Sequence, residues 1–213
     1  MLMTTDFDSL VAARRSIRKY TGEKVPESHI LDMVASAGNA PSPSNSQPVR
    51  YLHMVSSELR QGIFKNMETG YRNMLVQAKS LEKPRKAINI LNHYWRYSRF
   101  MFHAPALFAV GVETQGDSFS ARLNRAGLMG GKALETMGCD ISLGLSLQLF
   151  MLKAVALGLG TCILTAPLHF LKRENAIPGS ENLLIRCFLT AGFPDEYPVA
   201  PERKQPMEIY RKV

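Results

Sequence analysis

Basic side chains and one serine are concentrated in the segment ARRSIRKYTG, residues 13–22. The polar members are Arg14, Arg15, Ser16, Arg18 and Lys19. Arg14 and Arg18 point the same way in a helix or in a strand, whereas Ser16 joins them only in an extended chain. Guanidinium groups on one face can bind a phosphate or carboxylate through charge-assisted hydrogen bonds. A solvated basic surface is the alternative interpretation of this segment taken alone.

A second polar segment, NAPSPSNSQPV, covers residues 39–49 and contains three prolines, three serines and two asparagines. Such a composition is typical of a loop. Its central residues are Pro41, Ser42, Pro43, Ser44 and Asn45. Their short hydroxyl and amide side chains can contact a ligand, or they can hold the shape of the loop through bonds to its own backbone.

The chain has a net charge of +8 and an isoelectric point near 9.5, which favours an anionic partner. A nucleic acid, a membrane surface and a phosphate-bearing small molecule all satisfy this condition. The basic residues lie at the two ends and in one central segment, without the interleaved aromatic residues or the recognition helix typical of nucleic-acid modules. We therefore expect a small molecule and no nucleic acid.

The cysteines, the histidines and the hydropathy pattern indicate where the protein is located and whether it binds a metal. Cys139, Cys162 and Cys187 are far apart and have apolar neighbours, which predicts buried, reduced thiols in a cytoplasmic protein. The histidines show no metal-like spacing, so we expect no metal site. The N-terminus has no apolar run of signal-peptide length, and the apolar stretch 143–159 is interrupted by Lys153 and several glycines, so we expect neither export nor a membrane span.

Hydrophobic periodicity predicts one α+β domain over residues 1–213, with a central sheet of four to five strands and helices on both faces. Predicted helices cover 6–14, 26–38, 57–80, the segment up to 104, 121–137 and 140–158; predicted strands cover 49–55, 106–113, 161–164 and 183–194. Asp140 is the expected N-cap of the central helix, and Gly158 or Gly160 is its expected left-handed end. Apolar residues lie nearly all round this helix, so we expect it to be buried on most sides. Residues 195–213 form a tail rich in proline and charge.

Three separated pieces carry a family resemblance: ARRSIRKYTG, APSPSNSQPVR, and LQLFMLKAVALGLGTCIL followed by TAGFPDEYP and PERKQP. In this order and spacing the chain resembles the FMN-dependent nitroreductase family. The resemblance covers both ends and the central helix, while the helical segment 60–103 diverges. In that segment Trp95 and Tyr97 either shape a substrate pocket or serve as packing residues. It implies a nitroreductase-like fold with a mixed or antiparallel sheet, an intertwined homodimer with FMN at the subunit interface, and a tail, 195–213, that docks on the partner subunit.

The resemblance also implies cofactor-binding residues in four groups. These are Arg14, Arg15, Ser16 and Arg18; Pro41, Ser42, Pro43, Ser44 and Asn45; Leu164, Thr165 and Ala166; and Arg203 with Lys204. The first group would hold the FMN phosphate and the edge of the ring, and the proline-serine loop would come from the other subunit. The third would present backbone N–H groups to the flavin, although relatives have a glutamate-glycine pair at its last two positions. Arg203 and Lys204 would close over the phosphate, unless the tail is simply solvated.

The implied activity is two-electron reduction of a small acceptor, such as a nitroaromatic compound or a quinone, with NADH or NADPH as the reductant. Reductant and acceptor would use the same place in turn, a ping-pong cycle whose chemistry belongs to the cofactor, so we expect no catalytic acid or base from the protein. Two alternatives stay open: a flavin-binding carrier or sensor without turnover, and a basic nucleic-acid-binding protein.

Overall fold

The computed structural model describes residues 7–113, 119–128, 132–172 and 177–213. Its helices are α1 (Phe7–Ala13), α2 (Glu27–Gly38), α3 (Ser57–Lys79), α4 (Pro84–Arg99), α5 (Phe119–Arg125), α6 (Lys132–Ala156), α7 (Pro167–Phe170) and α8 (Pro206–Ile209). Its strands are β1 (Val49–His53), β2 (Ala106–Glu113), β3 (Gly160–Leu164) and β4 (Leu183–Gly192). The predicted α+β class is confirmed.

The four strands of the described residues form one antiparallel sheet in the order β1-β2-β4-β3. The segment after α1 extends this sheet beyond β3, because Ser16 forms a parallel bridge with Thr161 and the Ile17 N–H donates to the Thr161 carbonyl at 2.9 Å. The backbone at Ser16 is therefore extended. β1 and β3 lie at opposite edges of the sheet, a relationship that decides which predicted site residues can meet.

Helices cover both faces of the sheet, as predicted. α2 and α6 bury their apolar residues on one face, and α3, α4 and α7 pack on the other. In α6, Leu143, Leu147 and Phe150 recur at helical spacing and point into the first core. The stretch Met137–Ala156 is long and apolar enough to span a bilayer by length and composition, yet these buried residues mark it as the core helix of a folded domain.

Two expectations about α6 are wrong. The helix begins before Asp140, which is therefore not its N-cap; the Asp140 carboxylate instead accepts hydrogen bonds of 2.7 and 2.9 Å from the Arg186 guanidinium on β4. Nor is α6 buried on most sides, because Met137, Ile141 and Leu145 form an exposed stripe at a spacing of four residues. Gly158 has a φ of +75° and ends the helix as expected, whereas Gly160 begins β3.

The predicted helix 121–137 corresponds to α5 and the start of α6, and its middle lies outside the described residues. The divergent segment 60–103 consists mostly of α3 and α4, which pack against each other around Trp95. The Trp95 ring stacks on Tyr71 with 4.7 Å between ring centres. α3 also approaches α7 so closely at Gly70 that a Cβ atom there would overlap the Phe170 carbonyl.

Candidate functional site

A cleft of about 470 Å³ lies where β3 ends, and we call it the β3 cleft. Three elements line it. The extended segment after α1 supplies Arg18, the junction between β3 and α7 supplies residues 164–166, and α4 supplies His93, Tyr94 and Tyr97. The structure therefore brings together two groups that the sequence predicted as one site, Arg18 and Leu164 to Ala166, and adds an aromatic wall that sequence reasoning did not assign.

The orientation of α4 follows from its buried residues. Trp95 and Ser98 are buried, and the Ser98 hydroxyl donates to the Tyr94 carbonyl at 2.7 Å. His93 and Tyr97, four residues apart, therefore share the face that lines the cleft. Their ring centres are 4.7 Å apart. The interval of four residues between them in the sequence is the signal by which they could have been found.

Arg18 is held at the cleft by its backbone rather than by its side chain. Its N–H donates to the Glu196 carboxylate at 2.5 Å, and the Lys19 N–H donates to the same oxygen at 3.2 Å. The Tyr20 hydroxyl donates to the Ile17 carbonyl at 2.6 Å and shares a 2.7 Å hydrogen bond with the Thr190 hydroxyl. The Arg18 guanidinium stays exposed and forms no ion pair with any described residue, so its charge can meet an anion.

Cys162 lies in the cleft but is a poor nucleophile. Burial raises the pKa of its thiol, although the positive charges of Arg18 and Arg14 oppose that shift. The neutral thiol is therefore the favoured form at neutral pH.

The other members of the first predicted group lie nearby but are engaged differently. The Arg15 guanidinium donates to the Ala12 carbonyl at 2.5 Å and to the Arg14 carbonyl at 2.7 Å, so it covers the end of α1. Ser16 is part of the bridge to β3, and Arg14 is half-buried. The structure thus places Arg15 away from the residues that line the β3 cleft, and the flavin contacts of Arg14, Arg15 and Ser16 stay predictions.

The proline-serine loop forms a short 3-10 turn, Pro43–Asn45, against α6, where Pro43 lies beside Gly138. Ser44 and Asn45 both have a φ of 53°, a conformation that costs energy in residues with a side chain. The Ser42 hydroxyl accepts a hydrogen bond of 2.9 Å from the Gln47 N–H, and the Asn45 side chain accepts one of 3.2 Å from the Gln47 amide. The loop therefore uses its own polar side chains to hold a strained shape.

Within one chain, this loop and the β3 cleft are far apart. The loop leads directly into β1, at one edge of the sheet, and Leu164 ends β3, at the other. Three strand spacings separate the two edges, about 14 Å. Arg203 and Lys204 lie on the exposed tail. A single chain does not bring the four predicted groups together.

A second cavity, of about 340 Å³, adjoins the β3 cleft, and we call it the side cavity. The two share Tyr94, Thr165 and Ala166. The rest of the side cavity is largely apolar, with Met74, Leu91 and Phe170 among its lining residues. The arrangement can hold a charged, extended group at Arg18 and a flat apolar group beside residues 165–166.

Two curated proteins are similar in sequence: 4-nitrobenzoate reductase of Pseudomonas putida, 36% identical over 62 residues, and iodotyrosine deiodinase 1 of Sus scrofa, 24% identical over 208 residues. These alignments cover 29% and 92% of this chain. The chain spans only 27% and 64% of the lengths of these two relatives.

Solved structures share the fold. A BluB-like flavoprotein from Clostridium difficile 630 superposes with a TM-score of 0.80 at 22% identity, over 98% of this chain and 99% of the other. An iodotyrosine deiodinase bound to FMN and 3-iodo-L-tyrosine gives a TM-score of 0.65 at 19% identity, over 97% and 99% of the two chains.

The sequence model of the nitroreductase family matches residues 11–192, from the end of α1 to the end of β4. That range contains Arg18, Tyr97 and residues 164–166, so it includes the whole β3 cleft as well as the sheet that builds it. The fold, the cleft and this match together show that the chain belongs to the nitroreductase family of flavoprotein oxidoreductases.

Proposed function

We propose that this protein is an FMN-dependent oxidoreductase that takes electrons from NADH or NADPH and passes them to a small planar acceptor such as a nitroaromatic compound or a quinone. The observation that carries the proposal is the meeting of Arg18 with residues 164–166 in the β3 cleft. These positions were predicted as flavin contacts from segments far apart in the chain. The buried, free Cys162 and Cys187 agree with a cytoplasmic location.

The residues present fit FMN. The Arg18 guanidinium, which forms no ion pair among the described residues, would meet an anionic part of the cofactor, and the backbone of residues 164–166, which lines the same cleft, would meet a ring edge. Tyr97 and Tyr94 offer aromatic surface for a flat ring system. When bound, FMN would supply the two-electron redox chemistry that these side chains lack. The protein would orient the partners and stabilise negative charge through Arg18.

A second copy of the chain would complete this site. The proline-serine loop lies at the β1 edge, about 14 Å from the β3 edge, which supports contact with a flavin in the β3 cleft from another subunit rather than from the same chain. α6 offers an apolar stripe for such contact, with Met137 52%, Ile141 58% and Leu145 42% exposed in the single chain. We propose a homodimer in which the stripes pack together and the tail, with Arg203 and Lys204, docks on the partner.

The side cavity suggests where the acceptor lies. Its apolar lining at Met74, Leu91 and Phe170 suits a flat apolar molecule, and its opening at Tyr94 and Thr165 faces the proposed flavin position. The similarity to a 4-nitrobenzoate reductase and an iodotyrosine deiodinase supports substituted aromatic acceptors as the class to test first.

The visible spectrum of the purified protein tests the proposal. We expect a yellow protein that releases FMN on denaturation, is bleached by NADH or NADPH without oxygen, and regains its colour when a nitroaromatic compound is added. A colourless protein that does not bind added FMN would refute flavin dependence. A yellow protein that neither nicotinamide bleaches would instead favour the carrier or sensor alternative.

A further inference from the structure

A larger cleft lies on the other side of α4. It has a volume of about 1040 Å³ and shares no lining residue with the β3 cleft. Arg96 and Arg99 of α4 point into it, whereas His93 and Tyr97 line the β3 cleft. We call it the basic cleft. It is formed by the start of α2, the ends of β1 and α4, the start of α3 and the turn after α4.

The charge of the basic cleft is strongly one-sided. Its cationic lining residues are Lys24, Arg60, Arg96 and Arg99, its histidines are His53 and His103, and its carboxylate is Glu27. Among the residues that the structure describes, none of the four cations forms a salt bridge. The carbonyl end of α4 offsets about half a charge at Arg96 and Arg99, which leaves most of the positive charge uncompensated.

Arg60 is the fixed member of this group. It is half-buried, and its guanidinium donates to the carbonyls of Met54 at 2.7 Å, Ala104 at 2.7 Å and Pro105 at 3.3 Å. These bonds hold the group in place but bring no negative charge to it. A partly buried charge is costly unless a counter-charge approaches. An anion in the basic cleft would supply that counter-charge.

The cleft also has an apolar part. Phe64, Phe100 and Phe102 line it together with the buried Val25 and Ile30. Small-molecule sites combine mainly apolar lining with a few polar groups that fix the orientation of the ligand. Aromatic surface next to guanidinium groups suits a ligand that has both a ring and a negative charge.

We propose that the basic cleft binds an aromatic organic anion, with its ring against Phe64, Phe100 or Phe102 and its charged group at Arg96 and Arg99. The site lies on the opposite side of α4 from the proposed flavin site and does not depend on flavin binding. The proposal therefore holds or fails separately from the proposed function.

Calorimetric titration of the purified protein tests the proposal with 2-naphthoate, its neutral analogue 2-naphthalenemethanol, and inorganic phosphate. We expect 2-naphthoate to bind at least about tenfold more tightly than either other probe. The double variant Arg96→Gln/Arg99→Gln should lose at least about tenfold in 2-naphthoate affinity. The control, Arg85→Gln/Lys86→Gln, removes the same charge from exposed positions of α4 outside the cleft and should bind as the wild type does.

Several results would overturn the proposal. Equal affinity for 2-naphthoate and 2-naphthalenemethanol would show that charge is not recognised, and equal affinity for phosphate would show that the ring is not. Equal losses of 2-naphthoate affinity in both double variants would show that only the net charge of the protein matters. If Tyr97→Ala abolished binding while Arg96→Gln/Arg99→Gln did not, the anion would occupy the β3 cleft. Arg99→Lys, which keeps the charge, should retain most of the affinity and controls for misfolding.

Discussion

The guanidinium of Arg18 lies 5.7 Å from the centre of the Tyr97 ring, so a cation from the segment after α1 meets an aromatic residue of α4 across the β3 cleft. A cation at this distance is attracted by the face of the ring. Because the backbone of Arg18 is bound to Glu196 and its guanidinium carries no ion pair among the described residues, the contact with Tyr97 orients the charge without neutralising it.

The first prediction concerns the redox role of Arg18. Replacing it with alanine should weaken binding of oxidised FMN modestly and shift the midpoint potential of bound FMN to a more negative value, because a cation stabilises the reduced, more anionic cofactor preferentially. A differential loss of about 1.4 kcal/mol corresponds to roughly 30 mV for a two-electron couple. Reductive titration measures the shift, and Lys19→Ala, outside the cleft, is the matched control. An unchanged potential with lower affinity would leave Arg18 as a simple phosphate contact.

A second prediction tests the dimer through α6. Ile141→Arg places a charge in the middle of the exposed stripe and should give a monomer in light scattering, with loss of FMN, because the proline-serine loop of the partner is lost as well. Val76→Arg replaces another exposed apolar residue, on α3, and should leave both the dimer and the flavin intact. A wild-type monomer with full flavin occupancy would contradict the shared site.

The Asp140–Arg186 pair gives a third prediction. A double-mutant cycle with Asp140→Ala and Arg186→Ala, measured by urea unfolding, should show a coupling free energy of about 1 kcal/mol, since the pair is bidentate but partly exposed. Coupling near zero would show instead that this partly exposed pair does not contribute to stability.

The fourth prediction concerns pH. Burial lowers the pKa of His53 below its ordinary value of 6.5, with Arg60 adding to the shift and Glu27 opposing it. The unfolded chain therefore takes up a proton at a higher pH than the native protein does, and stability should fall as the pH drops below about 6.5. His53→Gln should flatten the dependence of the unfolding free energy on pH between about 5 and 7. His103→Gln, an exposed position of the same cleft, serves as the control, and identical slopes in wild type and His53→Gln would contradict the prediction.

Most of the fold could be predicted where local pattern and burial agree. β2 has the predicted bounds, 106–113, because a short, continuous apolar run of strand length is typical of a buried strand. The N-cap assignment of Asp140 failed because α6 already begins at Lys132, and the Asp140 carboxylate is bound instead by Arg186, on a strand distant in sequence. The exposed stripe of α6 was missed because apolar composition alone does not tell a buried helix face from an exposed one.

The candidate site was likewise predicted only in part. Arg18 and residues 164–166 were predicted because short motifs carry them, and they do line one cleft. Tyr97 was left open between packing and pocket, and the packing of Trp95 against Tyr71 decides which face of α4 it lies on. The separation of the proline-serine loop from the β3 cleft could not be predicted, because it follows from the order of the strands in the sheet, and that order cannot be inferred from any one segment of the sequence.

The shape of the side cavity depends on Gly70, a residue that does not line it. A side chain at this position would collide with the Phe170 carbonyl, and Phe170 belongs to α7, which begins directly after residues 164–166. Any substitution at position 70 must push α7 away from α3 and so reshape the side cavity. Because the collision is with the backbone of residue 170, a different side chain there would not relieve it, and homologues with a larger residue at position 70 should therefore differ in the shape of the side cavity.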